Sequence, residues 1–282
     1  MNQVQRQVRE ALFWALCGIG LLLLCLPALA IIASLLKDSW PALSLKLLTA
    51  TTNQGGLRNA ITGTLLLALG VLALAGPVGI GCGIYLAEFA SPGSAPWLRF
   101  FSEILAGIPS IVVGYVGYLV LVVGLHWGYS LLAGILALSV IVLPYVVKTT
   151  EVALRQVPST LREGADALGL PRSTTLRRVL LPPALPAIVT GLVIALAFST
   201  GETAPLLYTA GFTDQDPTLQ LLHRPVGYLT AVVFTDIQLP GAQAHQLAYA
   251  AAAITLLLLI ALTMAGRAIS RRSRRLSERM SV

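Results

Sequence analysis

Polar and apolar positions along this chain do not alternate at the period of a strand, nor do they form the narrow stripe of a surface helix. Instead they fall into long uncharged blocks separated by short charged stretches. Residues 11–36 contain no Lys, Arg, Asp or Glu. As a helix that block is about 39 Å long, enough to cross a bilayer with some tilt. Residues 59–87 form a second uncharged block, rich in Leu and then in Gly. Residues 104–147 form a third, too long for one crossing, so it must fold back. Gly124-Leu125-His126-Trp127-Gly128 is the natural turn, its rings suited to a membrane–water interface. Residues 180–201, entered through Pro182, Pro183 and Pro186, predict a fifth helix, and residues 248–266 a sixth. The expected fold is therefore an all-α polytopic membrane protein with six transmembrane helices. A β-barrel is excluded because its strands alternate and never run twenty apolar residues together.

Composition sharpens this picture. The 282 residues are 56% hydrophobic and only 11% charged, well under the quarter usual in soluble domains, with a mean hydropathy of +0.81. Disorder, a soluble nucleic-acid module and a secreted disulfide scaffold are excluded. Ala28-Leu29-Ala30 imitates a signal-peptidase site, but the apolar run continues past it through Leu36, so the first helix is expected to be retained. The net charge of +7 is best understood by position. Six spans put both termini on one side. Fifteen Lys and Arg fall on that side, in the tails and in the connections around Arg99 and from Lys148 to Arg178, against four (Lys37, Lys46, Arg58 and Arg224) on the other. Basic residues favour the cytoplasmic side, so both termini are expected to be cytoplasmic. The cluster between Arg271 and Arg275 follows a span directly, and a contact with anionic lipid suits it better than nucleic acid.

The connection 149–183 carries ordered signals. Thr160-Leu161-Arg162-Glu163 has the spacing of a capping box, predicting a helix over 161–168 closed by Gly169 with Pro171 beyond. Ser173 is placed to cap a second short helix that runs into the Pro182-Pro183 entry of the fifth. A short capped helix between two spans makes a lever for a cytoplasmic partner; a plain connector fits the same pattern. Gly79 and Gly83 form a small-x3-small packing face. Cys17, Cys25 and Cys82 sit in apolar runs and behave as small hydrophobes, and His126, His223 and His245 are spaced singly, so no metal ligand is assigned. No G-x4-G-K-[ST] motif occurs, so the chain has no P-loop of its own, and no catalytic residue is assigned.

Glu163-Gly164-Ala165, followed at fixed spacing by Gly169, Val179 and Leu181-Pro182, resembles the E-A-A-x3-G-x9-I-x-L-P loop of ABC importer permeases, departing only at Gly164 and Val179. Gly201-Glu202-Thr203-Ala204-Pro205-Leu206-Leu207 is similar to a signature of the PstA-type phosphate permeases, and Gly107-Ile108-Pro109-Ser110-Ile111-Val112 resembles a stretch shared by the phosphate permease pair. The resemblance spans residues 59–266. It implies an ABC importer permease fold with three parts: residues 1–58, a five-helix core over 59–268, and a basic tail over 269–282. It implies that Glu163, Gly164, Ala165, Asp166, Ala167 and Gly169 couple the chain to an ATPase. It further implies phosphate transport through the bacterial inner membrane in partnership with a second permease chain, two ATPase subunits that use ATP and Mg, and a periplasmic phosphate-binding protein. Another oxyanion (molybdate or sulfate) or a stand-alone secondary transporter are the rival readings.

The substrate pathway is expected near Glu202, Thr203, Pro109 and Ser110. An ionisable group at membrane depth is functional by default, since burying it is costly. Glu202 could hold an Arg of the partner permease, accept a hydrogen bond from a protonated phosphate oxygen, or cap backbone N–H groups at Pro205. In the family a basic residue often stands a few positions before the signature. Here Ala197-Phe198-Ser199-Thr200 offers none, leaving that role to the partner permease or to backbone donors.

Overall fold

A computed structural model describes residues 3–280, with side-chain positions for residue 5, residue 7 and residues 9–269. Every regular element among these residues is helical. In order they are α1 (Gln3–Ser39), α2 (Leu45–Thr49), α3 (Arg58–Ile84), α4 (Ser94–Gly107), α5 (Ser110–Gly117), α6 (Leu131–Arg155), α7 (Ser159–Ala167), α8 (Arg172–Thr174), α9 (Leu181–Gly201), α10 (Ala204–Thr209), α11 (Leu229–Asp236) and α12 (Ala242–Met280). Wider π-type turns extend α3 to Phe89, carry α5 on to Gly124 and join α8 to α9. Among the described residues five helices are long and apolar enough to cross a membrane, and the pair α4–α5 supplies a sixth crossing if counted together.

That pair is where the expected third helix is corrected. α4 and α5 meet at 94° rather than running straight through 104–124. Ile108 and Pro109 are both extended (ψ 128° and 134°). Proline pushes the residue before it out of the helical region and supplies no N–H of its own, so the ladder stops there. α4 also starts ten residues earlier than expected, where Ser91 and Ser94 exchange side chain to backbone hydrogen bonds (3.1 and 3.2 Å) across the turn. The remaining upright piece, 110–124, is 15 residues or about 22 Å, short of the ~30 Å hydrocarbon core. Trp97, Phe100 and Phe101 crowd the exposed face of α4.

The core is built from α3, α6, α9, α10 and α11, around Val71, Leu138, Val142, Ala195, Leu206 and Tyr228. Lipid is as apolar as leucine, so close packing rather than water exclusion must hold such helices together. The glycine face of α3 does this within the chain. A Cβ on Gly79 would lie 2.7 Å from Val146, and one on Gly83 would lie 2.5 Å from Thr150, both on α6, while Gly81 faces open space. α1 is different. Its apolar window is wholly unburied, and it rests chiefly along α12, as a lipid-facing outer helix should.

Candidate functional site

The segment expected to act as a lever is α7. Its start is not the expected capping box: Pro158 precedes the helix, and the capping residue donates or accepts no side-chain bond. Pro158, extended at ψ 138°, takes the cap position instead, its carbonyl accepting from Leu161 N–H at 3.2 Å. The end is as expected. Gly169 has φ +64°, Leu170 N–H donates to Ala165 O (3.1 Å) and Gly169 N–H to Asp166 O (2.9 Å), a complete Schellman closure. The following segment runs on into α9, Arg172 to Gly201 forming one 30-residue span, but Ser173 lies inside its first turn and Pro171 takes the cap position.

The expected coupling residues divide in two. Glu163, Gly164, Asp166, Ala167 and Gly169 are exposed, and a Cβ on Gly164 would meet nothing within 4 Å. Leu168 projects at the tip, 79% exposed. Ala165 instead is buried, so it serves the packing of α7 on its own chain.

Sequence reasoning missed what holds α7 in place. The Arg162 guanidinium donates to Glu88 Oε1 (2.7 Å), to Leu154 O (2.8 Å) and to Val157 O (2.9 Å). One side chain therefore ties the start of α7 to the end of α6, to the connection that follows it and to the π-type turns that extend α3. Nearby, the buried Glu151 carboxylate on α6 accepts from Arg99 of α4 (2.8 Å) and from Arg155 (3.0 Å). Arg99 thus pairs with Glu151 and not with Glu103, which stands 3.9 Å from Lys148 on the surface. The available signals were faint: Glu88 ends an uncharged run, and Glu151 is a lone acid among basic residues.

At the opposite end, the two remote signature stretches meet. α5 and α10 lie side by side, with Gly114 against Pro205, Tyr115 edge-on to Tyr208 (6.1 Å) and Gly117 against Thr209. This register is parallel, so Ser110 and Glu202 fall at the same end of the pair. Each helix begins at a break: α5 after Pro109, α10 after Thr203. Glu202 and Thr203 are half-buried, Ser110 is half-buried and Pro109 is exposed. The Glu202 backbone is fixed, its N–H donating to Ser199 O (3.3 Å) and its carbonyl accepting from Thr230 Oγ1 (3.0 Å). α10 has no side-chain cap, so neither Glu202 nor Thr203 is occupied in capping it. Among the described residues the Glu202 carboxylate has no hydrogen-bond or salt-bridge partner.

The connection 208–247 is partly helical and packs into the bundle. Its buried helix α11 carries Leu229, Ala231 and Val232 into the core. Asn59 and Thr52 at the head of α3 hold Thr213 O and Asp214, and Arg58 makes a two-pronged pair with Asp216. Burial raises the Asp236 carboxyl above its usual range, Thr235 opposes the shift, and Asp214 adds to it. A raised acid pKa in the fold penalises the ionised form, so the cost appears as pH climbs through that range. Asp236→Asn is accordingly expected to raise the thermal midpoint of the purified protein near pH 7. The gain should vanish toward pH 4, as a pH series of unfolding curves would check.

Residues 79–275 match the family model of the binding-protein-dependent transport system inner membrane component. The chain belongs to this family. Two relatives extend the match over nearly the whole length. "Phosphate transport system permease protein PstA 2" of Mycobacterium bovis is 47% identical over 96% of this chain and 91% of that protein. A "Probable phosphate transport system permease protein PstA" of Methanocaldococcus jannaschii is 35% identical over 91% and 92%. The fold also matches a chain of the MetNI methionine ABC transporter in an inward-facing conformation, at TM-score 0.62 and 20% identity, covering 82% of this chain and 99% of that one. As a member of this family, the chain is a multi-pass inner-membrane permease that works with ATPase subunits.

Proposed function

We propose that this chain is the permease subunit of an ATP-driven importer that carries inorganic phosphate through the inner membrane. The observation that carries the reading is 47% identity to a phosphate permease along almost the full length. A second permease chain would complete the path, two ATPase subunits would use ATP and Mg beneath it, and a periplasmic phosphate-binding protein would deliver cargo above. Both termini would be cytoplasmic. The structure is consistent with that orientation: α7, Arg99, Lys148, Arg155 and Arg162 gather at one end of the bundle, while Arg58 and Asp216 clasp the other.

In this reading the exposed face of α7, from Glu163 to Gly169, docks on an ATPase. The end of the α5–α10 pair lines the path, with Ser110, Pro109, Thr203 and Glu202. Broken membrane helices often direct half-helix N-termini toward anionic groups, which fits α5 beginning at membrane depth. Glu202 has the wrong sign for a simple anion ligand. An unpaired carboxylate can instead accept a hydrogen bond from a protonated phosphate oxygen, which sulfate lacks at neutral pH.

Glu202→Gln tests this. Hydrogen bonds involving a charged partner contribute about 1.5–3 kcal/mol, so its loss should cost roughly 10- to 100-fold in uptake. Phosphate uptake into proteoliposomes holding the complete complex should fall by that factor, while the ATPase rate stimulated by the binding protein stays. Unchanged uptake would remove Glu202 from the path. Uptake of molybdate or sulfate in place of phosphate, or phosphate uptake that survives with a hydrolysis-dead ATPase, would overturn the function itself.

A further inference from the structure

A small cavity lies beside the break between α9 and α10. Its wall includes Tyr228, Thr64, Ser199, Thr200 and Thr230, with Leu138 and other apolar side chains completing it. Its volume is about 10 Å³. That is close to the smallest space that admits one water molecule. Phosphate is several times too large.

The hydrogen-bond inventory of the wall is lopsided. Each aliphatic hydroxyl has one proton and two acceptor lone pairs. Ser199 Oγ donates to Leu196 O (2.8 Å), Thr200 Oγ1 to Ala197 O (2.8 Å), Thr64 Oγ1 to Ala60 O (2.8 Å) and Thr230 Oγ1 to Glu202 O (3.0 Å). All four protons are committed to backbone carbonyls, so what these groups still have to offer is acceptors. Thr64 already accepts from Leu229 N–H (3.0 Å). Tyr228 is the opposite case. It is 1% exposed, and its hydroxyl has no hydrogen-bond partner among the described residues. A phenol is neutral at physiological pH, so it brings a proton with nowhere to go. Such a group at full burial is uncommon in native structures and asks for an explanation.

We propose that this cavity is the site of one structural water, held between Tyr228 and the last turn of α9. The water accepts from Tyr228 Oη and donates to two of the oxygens of Ser199, Thr200 and Thr230. That makes three hydrogen bonds, the usual number for a buried water. A cation fits the acceptors but not the charge, because no carboxylate lines the cavity. An anion fits neither the size nor the supply of donors.

The position gives the water a consequence. Tyr228 begins α11, and Thr230 on α11 already holds the carbonyl of Glu202. The water adds a second tie, from the start of α11 to the turn that presents Glu202. Tyr228 is thereby a positioning residue for the break. This consequence rests on Glu202 being part of the path; the water site does not.

The test is the structure of the assembled transporter at a resolution that shows ordered water, for the wild type and for Tyr228→Phe. Phe keeps the ring that packs against Phe212 (6.5 Å), so the core should persist. A single peak within hydrogen-bond distance of Tyr228 Oη is expected in the wild type and should be lost in the variant. Thr200→Val, of nearly equal shape, should weaken the same peak and serves if the Phe variant does not assemble. No wild-type peak, or a peak unmoved in both variants, overturns the proposal. So does an anomalous signal there from crystals grown with rubidium, which would make the occupant a cation. Phosphate uptake by Tyr228→Phe should fall several-fold with stimulated ATPase activity retained. Lost density with normal uptake would keep the water and overturn its positioning role. A null result for Glu202→Gln would overturn the path assignment and leave the water standing.

Discussion

Arg162→Ala in the assembled importer is expected to lower the phosphate carried per ATP hydrolysed at least tenfold, with ATP hydrolysis itself continuing. Arg162 is the only described residue that joins α7, the end of α6 and the end of α3 through one side chain. Its side chain and that of Glu88 are mostly buried, at 29% and 16% exposure. Removing the guanidinium leaves the Glu88 carboxylate without its cation and takes a donor from Val157 O and from Leu154 O, the latter keeping only Val157 N–H. Breaking a buried pair from one side costs about 3–5 kcal/mol, and the partial exposure here argues for the lower end. The protein can remain assembled, since the helical core does not use this contact. What is lost is stiffness between lever and bundle. A push on α7 would then be absorbed by its own displacement before reaching α3. Arg162→Lys should recover only part of the coupling, because a single ammonium cannot span three acceptors on two sides as the planar fork does. Uptake and hydrolysis measured together on reconstituted complexes give the ratio. A wild-type ratio in Arg162→Ala would show that α7 transmits force without this anchor.

That anchor also marks where sequence reading stops. Uncharged blocks revealed α1, α3, α6, α9 and α12, because a bilayer demands twenty apolar residues in a row and few other environments do. Gly169 revealed the end of α7, because a left-handed residue there favours glycine. Local signals failed where two of them competed. Thr160 and Glu163 have capping-box spacing, yet Pro158 sets the start of the helix first. Pro109 was visible within an uncharged block, but not as a 94° turn, since proline states that the ladder breaks and not where the chain goes next. α11 was hidden for a different reason. Eight residues are too few to span, so its apolar run passes for loop until burial shows otherwise. The ion pairs were beyond reach altogether. Glu88 and Arg162 are 74 residues apart, Arg99 and Glu151 are 52, and only the packing of α3, α4 and α6 brings them together. The two signature stretches show the same limit: both stood out in the sequence, but their parallel register comes from packing at Gly114.

Gly114→Ala is therefore expected to abolish most phosphate uptake while leaving the complex assembled. A Cβ at this position would stand 2.6 Å from Pro205 Cα and 3.2 Å from the carbonyl oxygens of Ala204 and Pro205. All three atoms are backbone, so no rotamer change can relieve the clash. Two effects oppose each other. Alanine favours a helix over glycine by about 1 kcal/mol, and overpacking costs roughly 1–3 kcal/mol. With rigid atoms on the far side, overpacking should win, and α5 and α10 must separate. The net loss of stability is small, which is why assembly should survive. The geometric loss is larger, because the register of this pair is what puts Ser110 and Glu202 at one end. Displacement by about 1 Å at a binding constellation can cost on the order of 100-fold in rate. Gly20→Ala is the matched control: it adds the same methyl to a helix interior, in α1, where nothing lies within 4 Å. Uptake by Gly20→Ala should equal the wild type. Equal uptake by Gly114→Ala as well would mean that the contact between the two signatures does not shape the path, and that Glu202 and Ser110 act independently of each other.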